Sequence, residues 1–172
     1  MGVLMNKYIF VTNGMARCGK DTFAEILNRY VPTLKVSSID QVKQIAETCG
    51  WSGKKDEKSR KFLSDLKLLL TDYNDLPFKS ISDTVYHFKK NTLHNVLLID
   101  IREPIEIERA KNEFDASTIL IRRNSIQNIT SNSADAGVFD YDYDFIIENN
   151  GTIDEFKSVV KKFVMENISI EN

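Results

Sequence analysis

Residues 14–22 read Gly14-Met15-Ala16-Arg17-Cys18-Gly19-Lys20-Asp21-Thr22. They fit the pattern G-x-x-x-x-G-K, and the chemistry of that spacing is polyphosphate binding. A loop that wraps phosphates needs backbone N–H groups turned inward, and Gly14 and Gly19 supply the permitted backbone at its two ends. Lys20 adds one mobile positive charge aimed at the β- and γ-phosphates. A helix starting there brings its free N–H groups and partial positive charge to the same anion. The pattern usually continues with a hydroxyl residue that ligates Mg²⁺; here Asp21 stands in that place and Thr22 follows. Asp21 either takes the metal, directly or through water, or serves only as a favourable acid in the first helical turn. Thr22 is placed to hydrogen-bond a phosphate oxygen.

A second acid is at Asp100, which closes the run Val96-Leu97-Leu98-Ile99. Four apolar residues ending in a carboxylate describe a buried central strand, and the carboxyl ends of such strands face the ligand crevice of an open parallel sheet. Asp100 is thus a candidate to hold the water shell of Mg²⁺. Arg102 lies two residues on, and Arg122 and Arg123 follow another apolar run, Ser117-Thr118-Ile119-Leu120-Ile121. Guanidinium groups bind phosphate oxygens bidentately, so arginines at two strand ends can converge on one phosphate. Strand alternation turns one of Arg122 and Arg123 away, and Arg122 is taken as the inward one. Asp40, Lys43 and Arg60 sit near predicted helix starts and are candidates for substrate contact, with solvated helix ends as the competing reading. Glu108 is placed to hold an arginine by a salt bridge. Cys18 is either a reactive thiol or a bystander of suitable size.

These residues need elements to position them. Tyr8-Ile9-Phe10-Val11 is a continuous apolar run suited to a buried parallel strand. Phe23, Ile26, Leu27 and Tyr30 then recur at the spacing of one helix face. Leu34–Ser38 predicts a second strand, and Ser38 with Gln41 a capping box for a helix carrying Val42, Ile45 and Ala46 inward. A long helix is predicted from about Asp56 or Glu57, with Phe62, Leu63, Leu66, Leu69, Leu70 and Tyr73 on its apolar face, and another follows Pro77. Pro104 suits the first turn of a helix burying Ile107, Ala110 and Phe114. Residues 124–143 are polar and rich in Asn, Ser and Asp, a composition and length typical of a lid or a disordered loop. A last strand spans residues 144–149, and Thr152 with Glu155 predicts a capping box for the closing amphipathic helix.

Strands alternating with helices call for a parallel sheet covered on both faces. The expected fold class is α/β, a three-layer α/β/α arrangement with a mostly parallel sheet of the phosphate-loop nucleoside triphosphate hydrolase type. The 172 residues suit a single domain, here with a helical insertion at about 39–94 and a lid loop at about 123–143. Net charge is −2 with mixed signs, which argues against a nucleic acid polymer as partner. No apolar run reaches bilayer length, and residues 1–7 do not read as a signal peptide. Cys18 and Cys49 make neither a disulfide framework nor a zinc pattern. A cytoplasmic protein, monomeric or homodimeric, is the expectation.

Three segments together resemble a known group: Gly14-x-x-x-x-Gly19-Lys20-Asp21-Thr22, the strand ending Asp100-Ile101-Arg102-x-Pro104-x-x-x-Glu108, and Tyr143-Asp144-Phe145-Ile146-Ile147-x-Asn149-x-Gly151. They are similar to phosphate-loop kinases of small phosphorylated substrates, and most of all to the phage-type deoxynucleoside monophosphate kinases. The resemblance implies transfer of the γ-phosphoryl of ATP, with Mg²⁺, to an acceptor phosphate, most readily that of a (deoxy)nucleoside monophosphate. It implies that residues 14–22 hold ATP, that Lys20, Arg102 and Arg122 are catalytic, and that Asp40, Lys43, Arg60 and Arg102 meet the acceptor. Alternatives are a kinase of phosphomevalonate or a coenzyme A precursor, and a non-catalytic nucleotide-binding module.

Overall fold

The computed structural model describes residues 6–90, 93–126 and 137–169. Residues 127–136, within the predicted lid, lie outside them. The chain forms two compact units, residues 36–90 and the remainder.

The larger unit is organised by a parallel sheet. Its strands are β1 (Tyr8–Asn13), β2 (Thr33–Ser37), β3 (Val96–Asp100), β4 (Ser117–Arg122) and β5 (Phe145–Glu148), in spatial order β2-β3-β1-β4-β5. β1 runs parallel to both β3 and β4, and β4 runs parallel to β5. The carboxyl ends of these four strands therefore share one edge. The register sets opposite partners there: Thr12 faces Asp100, and Arg122 faces Glu148.

Among the described residues, three helices cover this sheet: α1 (Lys20–Asn28), α5 (Pro104–Phe114) and α6 (Ile153–Asn167). Side chains alternate along a strand, so the sheet has two cores. Phe10, Val96 and Leu98 join Phe23 and Leu27 of α1 and Phe156, Val160 and Phe163 of α6 in one apolar cluster. Phe163 is its aromatic centre, with edge-on rings of Phe10 at 5.6 Å and Phe145 at 5.3 Å. Each such pair adds about 0.5–1.5 kcal/mol beyond its buried area. Ile9, Val11, Leu97 and Ile99 point to the opposite face, where α5 packs on β1 and β4 and buries Ile107, Ala110 and Phe114. The result is helix, sheet and helix in three layers. Thr152 and Glu155 close the capping box that starts α6.

The smaller unit packs α2 (Asp40–Thr48), α3 (Glu57–Asn74) and α4 (Leu76–Lys90) against one another. Two local expectations are corrected here. The Ser38–Gln41 capping box does not form: α2 starts after Ile39 with no side-chain cap. Ser38 is buried at the strand end, and the Asp40 carboxylate instead accepts from the Ser37 N–H at 2.7 Å, a local turn that competes with helix capping. The apolar face of α3 is also narrower than its leucines suggest. Leu63, Leu66 and Leu70 are half-buried and Lys67 is buried among their positions, whereas Phe62, Leu69 and Tyr73 are exposed. Residues 63, 66, 67 and 70 share one helix stripe, and the aliphatic stem of Lys67 completes it.

Candidate functional site

The glycine loop runs from the end of β1 into α1. Gly14 has φ 150°, Arg17 φ 65° and Gly19 φ 107°. A Cβ on Gly14 would drive into the Ile121 carbonyl oxygen and the Cys18 sulfur, and one on Gly19 into the Asn149 amide. Both glycines are therefore required by backbone angle and by space. Gly19 is also the N-cap of α1 and places no side chain over the helix end. That end presents backbone N–H groups and positive dipole, the usual anion site of such loops.

Lys20 is the first residue of α1. Its ammonium curls back over the loop, donating to the Gly14 carbonyl at 2.5 Å and the Met15 carbonyl at 3.1 Å. The charge thus sits above the loop without a carboxylate partner among these bonds, held by weak neutral acceptors that a phosphate can replace. Met15 and Cys18 are buried, while Ala16 and Arg17 are exposed at the loop tip. Burial raises the Cys18 thiol above its ordinary range, outweighing the nearby Lys20 ammonium. Burial of this kind disfavours the reactive thiolate, which is the setting the bystander reading of Cys18 expects.

Two buried asparagines brace the loop. Asn13 accepts from the Gly14 N–H at 2.8 Å, and its amide donates to the Arg102 carbonyl at 3.2 Å and the Tyr143 hydroxyl at 2.8 Å. Tyr143 donates onward to the Val138 carbonyl at 2.9 Å. Asn149, just beyond β5, donates from its amide to the Cys18 carbonyl at 2.9 Å and from its backbone to Arg122 at 2.8 Å. Asn149 thus braces the loop from far along the chain, and Asn13, which directly precedes the loop, is itself tied to the distant Tyr143.

The two candidate metal acids converge. Asp100 accepts the Thr12 hydroxyl on Oδ1, and its Oδ2 lies 3.0 Å from the Lys35 ammonium. The same ammonium pairs with Asp21. Burial pulls the Lys35 pKa down, but the bonds to Asp21 and Asp100 outweigh it, so the group is held above its ordinary value. Among the described residues no cluster of three or more His, Cys, Asp or Glu side chains could cage a metal. Two carboxylates near one point nevertheless fit Mg²⁺, which is commonly held by one or two carboxylates and completed by substrate phosphates.

The arginines are arranged differently. Arg122 donates from Nε to Glu148 at 2.8 Å and pairs with it across β4 and β5, as the register dictates. Arg102 is half-buried just past β3, and Arg123 is exposed. Glu108 accepts from the Tyr141 hydroxyl at 2.7 Å and the Asn112 amide at 3.0 Å; among the described residues no arginine meets it. Asp40 and Lys43 pair with each other at 3.6 Å in the first turn of α2, and Arg60 is exposed at the start of α3. These three belong to the helical unit.

Sequence reasoning gave no role to Lys35, Asn13, Thr12 or Asn149. Lys35 had a visible signal: it is a lone charge between Leu34 and Val36 in a strand. The asparagines had a fainter one, each adjoining a strand end next to a predicted turn.

No protein-family model matches the sequence, and no curated protein does. Solved structures do share its architecture. A dephospho-CoA kinase from Campylobacter jejuni superposes with a TM-score of 0.53 at 17% identity, over 93% of this chain and 97% of that one. A kinase-like protein from Chloroflexus aurantiacus, described there as a putative kinase, superposes with a TM-score of 0.50 at 10% identity, over 95% of this chain and 99% of that one. With its parallel sheet, two helical layers and glycine loop, the chain has the three-layer α/β/α fold of phosphate-loop nucleoside triphosphate-binding proteins.

Proposed function

We propose that the protein is an ATP-dependent phosphotransferase acting on a small phosphorylated acceptor, with a (deoxy)nucleoside monophosphate as the favoured class. The observation that carries the reading is the meeting of three features at one sheet edge. The glycine loop, Lys20 at the start of α1, and the carboxylates of Asp21 and Asp100 all lie at the carboxyl ends of the parallel strands, where ligands bind in open α/β sheets.

Each residue has a physical role in this reading. Backbone N–H groups of residues 14–22 hold the phosphates of ATP. Lys20 leaves the Gly14 and Met15 carbonyls for a phosphate oxygen and stabilises charge during transfer. Asp21 and Asp100 hold Mg²⁺, which supplies Lewis-acid neutralisation of the phosphate oxygens when bound. Arg102 and Arg122 bind phosphate oxygens, Arg122 by exchanging or sharing its Glu148 partner. Asp40, Lys43 and Arg60 are candidates for acceptor recognition. Phosphoryl transfer depends on positioning and charge, so no protein nucleophile is needed.

The test is ADP release by the full chain with ATP, Mg²⁺ and one acceptor at a time. Acceptors should include nucleoside and deoxynucleoside monophosphates, phosphomevalonate and dephospho-CoA. ADP formed only with a monophosphate supports the reading, and ADP formed only with another acceptor moves the substrate class. Tight ATP binding with no turnover on any acceptor points to a non-catalytic nucleotide-binding module.

A further inference from the structure

Lys35 reaches from β2 to acids on two other elements. Its ammonium is 3.0 Å from Asp100 Oδ2 at the end of β3 and also pairs with Asp21 in the first turn of α1. The side chains of Lys35 and Asp100 are 27% and 18% exposed, whereas that of Asp21 is 88% exposed. The inner half of this triad is thus shielded, where attraction between charges is screened least. Its outer half opens onto a shallow depression lined by Asp21, Ala24, Glu25, Asn28, Thr33 and Lys35. A cation can enter there, but the protein's own ammonium already holds both carboxylates.

We propose that Lys35 is a tethered competitor of the divalent ion. It holds Asp21 and Asp100 while nucleotide is absent, and it keeps these acids from taking a metal ion alone. The inference rests on reading the loop and the two acids as a nucleotide–metal site. Its physical basis is a comparison of what each ligand offers. A bare divalent ion must displace an ammonium and gains only two carboxylates from the protein. An ion arriving with a triphosphate brings phosphate oxygens to complete its shell. The phosphates also offer the displaced ammonium, on its flexible four-carbon stem, a new anionic partner. Metal and nucleotide then bind as one coupled event, and coupling is reciprocal by linkage. Lys35 is in this sense a positioning residue: it acts through Asp21 and Asp100.

The competition is read most directly by Mn²⁺, which takes the same oxygen ligands as Mg²⁺ and whose free concentration is measured by electron paramagnetic resonance. The full chain is titrated without nucleotide as wild type, Lys35→Met and Lys35→Arg. Lys35→Met should bind Mn²⁺ at least about fivefold more tightly than wild type, the lower end of typical coupling between ligands. Lys35→Arg keeps the cation and should stay close to wild type. Adding Asp100→Asn to Lys35→Met should remove the gain, which locates it at the acid pair. Equal or weaker Mn²⁺ binding by Lys35→Met overturns the proposal. Melting curves establish that the variants are folded, and Lys35→Gln takes the place of Lys35→Met if the methionine variant is not. A parallel calorimetric titration of wild type with ATP, with and without Mg²⁺, separates the two readings. Absence of ATP binding overturns the nucleotide site itself and the coupling with it, whereas unchanged Mn²⁺ affinity in Lys35→Met overturns the competition alone.

Discussion

Thr12 and Asp100 stand opposite each other in the β1–β3 register, and the Thr12 hydroxyl donates to Oδ1 of Asp100. Thr12 is buried, so its hydroxyl serves the carboxylate and little else. Thr12→Val keeps the shape and removes the donor. Groups that orient a metal ligand typically matter about 10- to 100-fold in metal affinity, so the Mg²⁺ midpoint of ADP release should rise about tenfold or more in this variant. A Mg²⁺ midpoint equal to wild type would show that Thr12 supports only the strand.

Lys20→Ala should abolish most turnover and leave the fold intact. Among the described residues the ammonium bonds to carbonyls of its own loop and to the Cys18 sulfur. Losing one charge-stabilising group from a preorganised site costs roughly 3–4 kcal/mol of barrier, or about 10²–10³ in rate. Circular dichroism and melting should match wild type while the rate falls. Wild-type turnover would remove the loop from the mechanism.

Arg102 and Arg122 should separate kinetically. Arg102→Lys is expected to raise the acceptor KM, and Arg122→Lys to lower kcat, because a lysine cannot reproduce bidentate phosphate contacts. Arg122 is already paired with Glu148, so Glu148→Gln should also alter kcat by changing how readily the guanidinium engages phosphate. The measurement is steady-state kinetics with ATP and acceptor varied separately. If both arginine variants keep kcat and both KM values within about twofold, under ~0.5 kcal/mol, neither clamps phosphate.

Asp144 gives a pH prediction. Its carboxylate takes the Thr118 N–H at 2.8 Å, the Thr118 hydroxyl at 2.9 Å and the Lys111 ammonium at 2.7 Å. Burial alone raises its pKa, but the bonds from Lys111 and Thr118 outweigh that and hold it below the ordinary carboxylate value. A depressed folded pKa means stability that is present above the unfolded value of about 3.9 and lost as pH falls toward the folded one. The melting temperature of wild type should therefore drop below about pH 4, and Asp144→Asn should drop less over the same range. Equal acid sensitivity of the two would assign the loss to other carboxylates.

The glycine loop was legible because its pattern is local. Gly14, Gly19 and Lys20 lie within seven positions, and the strand before and helix after follow from continuous apolar patterning. The sheet was legible for the same reason: β3 and β4 are apolar runs that read as strands without their neighbours. What escaped were contacts decided by register. Nothing near Lys35 in the chain says that β2 lies beside β3, and only that adjacency brings its ammonium to Asp100. The Arg122–Glu148 pair likewise exists because β4 and β5 align those two positions. The α3 face misled for a simpler reason. Leucines surround that helix, so periodicity could not reveal that Lys67 and not Leu69 turns inward.

The braces of the glycine loop have a consequence for the timing of biosynthesis. The loop is made early, yet Asn149 reaches the Cys18 carbonyl from 131 residues later and Asn13 relies on Tyr143 from 130 residues later. β1 cannot be central until β3 on one side and β4 on the other have been synthesised. Such non-local pairings form late, after their loop-closure entropy has been met. A ribosome-held chain that stops before β5 carries every residue of the glycine loop but not its finished geometry. If the glycine loop holds ATP as proposed, nucleotide capture by nascent chains of increasing length should accordingly begin only once Asn149 has cleared the exit tunnel, so that capture reports closure of the loop by its last brace.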